Sequence, residues 1–203
     1  MLNLIRSLHI KNTEIILASS SEYRKELLER LGIVFRTIAP NINEDYFQDE
    51  SINDYVARLA KTKAEYIAKN NNKALIIGAD QAVECDKKIL GKPINESNAK
   101  EQLMSMSNKS ISFYTGLCLI NSKTNVVQQD VIIYRVDFRK LSESEIENYL
   151  LKEKPFNCAG SFKSEKLGIS LIKKMEGNDP TALIGLPLIR LCQMLKRQGI
   201  NIP

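Results

Sequence analysis

Aspartate placed directly behind a short apolar run, in Ala74-Leu-Ile-Ile-Gly-Ala-Asp80-Gln81, is the first point where this chain could do chemistry. A carboxylate at the carboxyl end of a buried strand is a candidate general base or metal ligand, because open α/β sheets form their ligand crevice there. The same aspartate would serve as a turn or helix cap. A second point is Ser19-Ser20-Ser21, between an apolar run and a helical pattern, with Arg24 and Lys25 just beyond. Backbone N–H groups at a helix start, its dipole and the hydroxyls favour phosphate. Two cations in that first turn oppose the dipole unless an anion offsets them. A plain Ser21 N-cap is the simpler alternative. The segment Pro40–Glu50 carries Glu44, Asp45, Asp49 and Glu50, as a source of a metal ligand or as a solvated loop. In Gly91-Lys92-Pro93, the glycine permits close approach and the proline fixes the backbone, so Lys92 is expected to be held. His9 is the one histidine. That excludes a multi-histidine zinc site and leaves carboxylates, lysines, arginines and hydroxyls for any reaction.

The elements that must position these groups follow from periodicity. Ala74–Ile77 has no polar alternation, which suits a strand buried on both faces, as in a parallel sheet, delivering Asp80 and Gln81 to its end. Glu14–Ala18 reads as a first strand and 22–31 as a helix, with Leu27, Leu28 and Leu31 on one side, Ser21 as cap and Gly32 as stop. Strand 34–39 follows, then a helix from Ser51 to about Lys69, on which Arg58, Lys61 and Lys63 read as a solvated face. Val83–Asp86 continues a strand, 86–88 is a turn, and Asn95–Met106 is a helix. Segments 110–120 and 126–138 pair as antiparallel strands. Ser142-Glu-Ser-Glu145 is a capping box for a helix to about Lys152. A loop follows over 157–165, then a strand at 168–173, a turn at 177–180 and a last helix to about Gln198.

A chain of 203 residues, 43% hydrophobic and 26% charged, is an ordinary globular protein with room for one full core. No apolar run reaches the roughly 18 residues needed to span a bilayer, so no membrane partner is expected. Residues 1–12 show no signal-peptide pattern and read as an extension to one domain over 13–203, with a cytoplasmic location as the default. The net charge of +5 fits a polyanionic small molecule, and no basic block with interleaved aromatics points to nucleic acid. The four cysteines are widely spaced and read as buried thiols.

Taken together, LASSSEYRKELLERLG, IIGADQ, LGKP, CAGSFKSE and LIGLPL occur in the order and spacing of the Maf family of nucleoside-triphosphate pyrophosphatases. The resemblance runs from about residue 14 to 198. It implies an ITPase-like α/β fold: a central twisted mixed sheet flanked by helices, in two lobes with a cleft. It also implies metal-dependent attack of water on the α-phosphate, giving a nucleoside monophosphate and pyrophosphate. Members acting on dTTP and UTP carry SPRR, DT and a glutamine where this chain has SEYRK, Asp80-Gln81 and Glu165. With FYTGL and CAGSFKSE, these resemble the members that act on 7-methyl-GTP, whose loop usually reads SPWRR. Glu22, Tyr23 and Lys25 depart from that pattern, while Arg24 keeps it.

The resemblance assigns roles residue by residue. Asp80 is the proton acceptor. Ser19 and Arg24 hold phosphate oxygens. Lys63 and Lys92 neutralise charge on the transferring and leaving groups. Glu44, with Asp80, holds Mg²⁺ or Mn²⁺, which needs only one or two carboxylates. Methylation at N7 makes guanine cationic, so the Tyr23 face, the Glu165 carboxylate and the Gln81 amide form a candidate base site. Another nucleotide as substrate, or a nucleotide-binding regulator linked to septum formation, are the alternatives. A homodimer is compatible with the family.

Overall fold

The computed structural model describes residues 13–203; the extension read at 1–12, with His9, lies outside the described residues. The elements in chain order are β1 (Glu14–Ala18), α1 (Glu22–Glu29), β2 (Arg36–Thr37), α2 (Ile52–Ala68), β3 (Ala74–Cys85), β4 (Lys88–Leu90), α3 (Glu96–Met106), β5 (Ser110–Asn121), β6 (Val126–Phe138), α4 (Glu143–Glu153), β7 (Ile172–Glu176) and α5 (Leu188–Arg197). Short 3₁₀ turns cover Ala159–Ser161, Leu167–Leu171 and Pro180–Ile184. The helices start where side chains can cap them. Ser21, Ser51, Asn95 and Ser142 each accept from the backbone N–H three residues on, and Ser142 with Glu145 completes the capping box.

One mixed sheet runs β2-β1-β3-β5-β6-β7, with β4 also on β3. β1 is parallel to β2 and β3, and the other pairings are antiparallel. Alternation along β3 sorts its side chains. Ile76 faces α2 through Ala60 and Ala64, while Leu75, Ile77 and Ala79 face Leu27, Leu28 and the α5 residues Leu191 and Met194. Farther along, Val83 and Cys85 join a third apolar cluster with Leu103 of α3 and Tyr149 of α4. The long strands β3, β5 and β6 thus serve two packed halves, one built on α1, α2 and α5, the other on α3 and α4. This is the helix-flanked mixed sheet that the family resemblance implies.

Three readings of the sequence are corrected. The central strand does not end at Asp80: it continues to Cys85, because β5 pairs with it from Leu75 to Glu84. Strand 34–39 shrinks to Arg36–Thr37, an edge piece whose neighbour Val34 is exposed. Residues 167–171 form a 3₁₀ turn and the strand begins at Ile172, since Gly168 packs directly against the Lys163 carbonyl in a turned segment.

Candidate active site

The site lies at a gap in the sheet. On one edge of β3, β1 pairs only as far as Gly78, and β4 begins at Val83. Among the described residues, 79–82 therefore have no strand partner on that edge, and Asp80 is one of them. Asp80 therefore lies along the side of a continuous strand and not at a strand end, where a parallel sheet would place its ligand crevice.

Glycines determine what faces Asp80. Gly78 and Gly116, the latter paired with Asp80 across β3 and β5, lie directly under α2. A Cβ on either would come within 2.1 Å of the carbonyl oxygen of Ala60 or Val56. Backbone contact this close brings Lys63, on the same stripe of α2 as Ala60 and Ala64, over the strand. Its ammonium donates to Asp80 Oδ1 at 2.6 Å and lies 2.9 Å from Glu44 Oε1. Lys63 and Asp80 are only 5% and 7% exposed, so Lys63 does not belong to the solvated face on which the sequence placed it. Removal of a charge from water on this scale is tolerated only with partners, and here one cation bridges two carboxylates.

The acidic loop that carries Glu44 is latched to α2. The Tyr55 hydroxyl donates to the Glu44 carbonyl (3.0 Å), and Arg58 Nη2 donates to the Asp45 carbonyl (2.9 Å). Arg58 also forks onto Glu50 at 2.6 and 2.7 Å, holding that carboxyl below the usual carboxylate range. Its guanidinium lies 3.9 Å above the Phe47 ring. Sequence reasoning missed these two anchors. The available signal was Tyr55 and Arg58, three apart at the start of a helix, immediately after a loop bearing Tyr46, Phe47 and Glu50.

At the start of α1, the buried Ser19 hydroxyl accepts from the Ser21 N–H (3.1 Å). Arg24 donates through Nε to the Gly185 carbonyl (2.9 Å), the one hydrogen bond of its guanidinium among the described residues. Burial lowers the Arg24 pKa from its ordinary value, and the negative charges of Asp80 and Glu44 oppose that shift. Arg24 thus lies within electrostatic reach of Asp80 and Glu44.

A second patch lies around Tyr23. Tyr23 has Cys158 and Glu165 close enough to act on its hydroxyl. Burial, reinforced by these neighbours, raises the Tyr23 pKa well above its usual value, so the ring stays neutral. Burial also pushes the Cys158 thiol up, with Lys163 and Lys92 close enough to oppose it. Glu165 is exposed and has no ion pair among the described residues; Lys163 reaches instead to the Glu153 carbonyl (2.6 Å). Lys92 is exposed and likewise unpaired among the described residues, while the backbone beside it is fixed: the Gly91 carbonyl accepts from Gly160 N (3.2 Å) and the Pro93 carbonyl from Asn98 Nδ2 (2.9 Å). The close approach expected at Gly91 is absent, since a Cβ there meets nothing within 4 Å.

Gln81 is directed elsewhere than the sequence suggested. Strand alternation turns it to the face opposite Asp80, where Nε2 donates to the carbonyls of Ala182 (2.8 Å) and Leu183 (3.0 Å) and to Thr115 (3.2 Å). Its amide ties β3 to the 180–184 turn rather than standing free to read a base edge. Asp80 and Glu44 converge on the Lys63 ammonium, and two carboxylates are enough for a hard divalent cation that keeps most of its waters. Among the described residues, no group of three or more His, Cys, Asp or Glu side chains is placed to hold a metal ion.

A family model described as Maf-like protein matches residues 14–198. The chain belongs to the Maf family. A Maf relative from Nitrosococcus oceani, named 7-methyl-GTP pyrophosphatase, is 48% identical over 188 residues, covering 93% of this chain and 94% of that protein. Another of the same name, from Pseudomonas syringae pv. syringae, is 48% identical over 189 residues, covering 93% and 98%. Among solved structures, the Staphylococcus aureus Ham1 protein superposes with a TM-score of 0.44 and 14% identity, covering 62% of this chain and 72% of that one. Among the described residues, no helix of this Maf chain is long and apolar enough to cross a membrane.

Proposed function

We propose that this protein hydrolyses 7-methyl-GTP to 7-methyl-GMP and pyrophosphate, removing a modified nucleotide from the pool. The observation that carries the reading is the buried Asp80–Lys63 pair, bridged to the half-exposed Glu44 and within electrostatic reach of Arg24 at a serine-rich helix start. Family membership supports the chemistry, and the two relatives support the substrate. Asp80 Oδ1 is held by Lys63, which leaves Oδ2 free to take a proton from water. The water oxygen bonds to the α-phosphorus, the bond from that phosphorus to the bridging oxygen breaks, and pyrophosphate departs with the bridging oxygen. Ser19 and Arg24 orient phosphate oxygens. Lys63 and Lys92 offset negative charge on the transferring and leaving groups.

Asp80 and Glu44 would hold Mg²⁺ or Mn²⁺, which, when bound, supplies Lewis-acid polarisation of the phosphoryl oxygens. Arg58 then matters through Glu44. Arg58→Ala is expected to raise the Mg²⁺ concentration for half-maximal activity by roughly tenfold or more, as loss of outer-shell support does elsewhere. Arg58→Lys should rescue little of this, because an ammonium cannot make the forked contact to Glu50 while spanning to Asp45. A metal titration of both variants checks it, and an unchanged midpoint would detach the latch from metal binding.

For the base, the Tyr23 ring and the Glu165 carboxylate suit a cationic purine. Tyr23→Ala should weaken 7-methyl-GTP relative to GTP by roughly 3- to 30-fold, the size of a cation–π contact, and Glu165→Gln should shift preference the same way. Pyrophosphate release across 7-methyl-GTP, GTP, dTTP, UTP and ITP with Mg²⁺ or Mn²⁺ tests the whole reading. Preference for a pyrimidine would keep the Asp80 chemistry and remove the base assignment. Nucleotide binding without release would point to a regulator. A cytoplasmic homodimer is part of the same proposal, tested by fractionation and by solution mass.

A further inference from the structure

We propose that Gln102 of α3 is a positioning residue that couples the loop bearing Lys92 to the loop bearing Cys158 and Glu165. The proposal rests on the roles given above to those two loops. One amide side chain reaches both. Gln102 Nε2 donates to the Gly91 carbonyl (3.2 Å), next to Lys92, and Gln102 Oε1 accepts from the Ser161 hydroxyl (2.6 Å), between Cys158 and Glu165. The two loops also touch directly, through Gly160 N–H to the same Gly91 carbonyl (3.2 Å).

Ser161 shows that this contact is enforced. It is fully buried and has φ +56°, directly after Gly160 at φ +64°. Residues other than glycine adopt the left-handed region only where the surroundings require it, and such conformations concentrate at functional loops. A buried hydroxyl needs a partner, and Gln102 Oε1 is that partner. Gly160 could not be replaced easily: besides its positive φ, a Cβ would lie 3.2 Å from Val83, three residues along β3 from Asp80. The loop is therefore seated on the strand that carries the base and pinned from above by α3.

The helix supplies a second clamp one turn earlier. Asn98 Nδ2 donates to the Pro93 carbonyl (2.9 Å), so amides at i and i+4 of α3 grip the backbone on either side of Lys92. The amide chemistry of Gln102 is specific to the task. The Gly91 carbonyl can only accept and the Ser161 hydroxyl here donates, so one amide donates at one end and accepts at the other. A glutamate of the same shape would keep the Ser161 contact and set a carboxylate oxygen against the Gly91 carbonyl. Removal of either contact loosens one loop, and removal of the side chain leaves the two joined only by the Gly160 N–H to Gly91 carbonyl bond, with Asn98 still on Pro93.

The test uses the full-length chain with Mg²⁺, reading kcat and KM for 7-methyl-GTP and GTP, together with hydrogen exchange at the Gly160 amide. Gln102→Glu is expected to lower kcat about tenfold while preserving the preference for the methylated base, since one lost hydrogen bond is worth about that factor. Ser161→Ala is expected to lower the preference about tenfold with kcat retained. Gln102→Ala should lower both and speed Gly160 exchange, and adding Ser161→Ala to it should cost no further preference. If Gln102→Ala does not fold, the isosteric Gln102→Glu carries the test. Equal effects of the two single variants on kcat and preference, or unaltered Gly160 exchange in Gln102→Ala, would overturn the coupling. Wild-type protein that releases no pyrophosphate from 7-methyl-GTP, with Gly160 exchange still accelerated by Gln102→Ala, would sink the substrate assignment and leave the coupling standing.

Discussion

Asp80→Asn is expected to lower pyrophosphate release by roughly 10²- to 10⁴-fold, the range that loss of a positioned general base produces. The substitution keeps the shape of the side chain, and an amide oxygen can still accept from Lys63. It removes the negative charge and the proton-accepting oxygen. Asp80 is buried against Lys63, so the change also leaves the ammonium with the half-exposed Glu44 as its one negatively charged partner among the described residues. Loss of one partner from a buried ion pair can destabilise a protein by about 3–5 kcal/mol. A melting curve must therefore accompany the assay. The base assignment predicts lost turnover in protein that is still folded and still binds nucleotide at the assay temperature. Near-normal turnover would remove Asp80 from the proton transfer.

Lys63→Met has a more discriminating signature, because it should move two quantities in opposite directions. With the ammonium gone, Asp80 and Glu44 face one another without a cation between them. Like charges at close range favour any divalent ion that can bridge them, so Mn²⁺ affinity measured by titration should rise. Turnover should fall by about 10²-fold or more, the scale of losing one electrostatic contact to a developing charge. If both affinity and turnover fall together, Lys63 is holding the two carboxylates in place and is not serving the reacting phosphate. The methionine fills similar space with its flexible thioether chain, which limits the packing loss beside Ala60 and Ala64.

The sequence made legible those features that depend on local chemistry. Helix starts at Ser21 and Ser142 follow from side-chain caps three residues from their partners, and the antiparallel pair β5–β6 follows from two long alternating runs around a short turn. What escaped depends on how close two elements come. Arg58, Lys61 and Lys63 look alike as helical cations, yet only Lys61 stays on the solvent side. The clue was the repeat Ala60, Lys63, Ala64, Ile67, which puts Lys63 on the buried stripe. Gly78 and Gly116, glycines inside strands, were the complementary clue to a helix resting on backbone. The length of β3 is hidden because Asp80 and Gln81 look like the end of an apolar run, and only a strand that continues past Asp80 puts Gln81 on the opposite face, against the 180–184 turn. The edge strand β2 and the turn at 167–171 depend on long-range pairing that local propensity does not encode.

The unbroken ladder through the centre of the molecule sets how the cleft can respond to a nucleotide. β3 pairs in continuous register with β5 from Leu75 to Glu84, and β5 with β6 from Ser110 to Asn121. The two packed halves share these strands, so no short segment between them is free to absorb a large change in backbone angles, as hinge closure requires. Ordering on binding must then fall on the loops around Glu44 and Glu165, at a small entropic cost. A cleft preset in this way rewards a ligand for matching its shape on arrival. Discrimination between nucleotides should accordingly appear in dissociation rates, with association rates nearly alike.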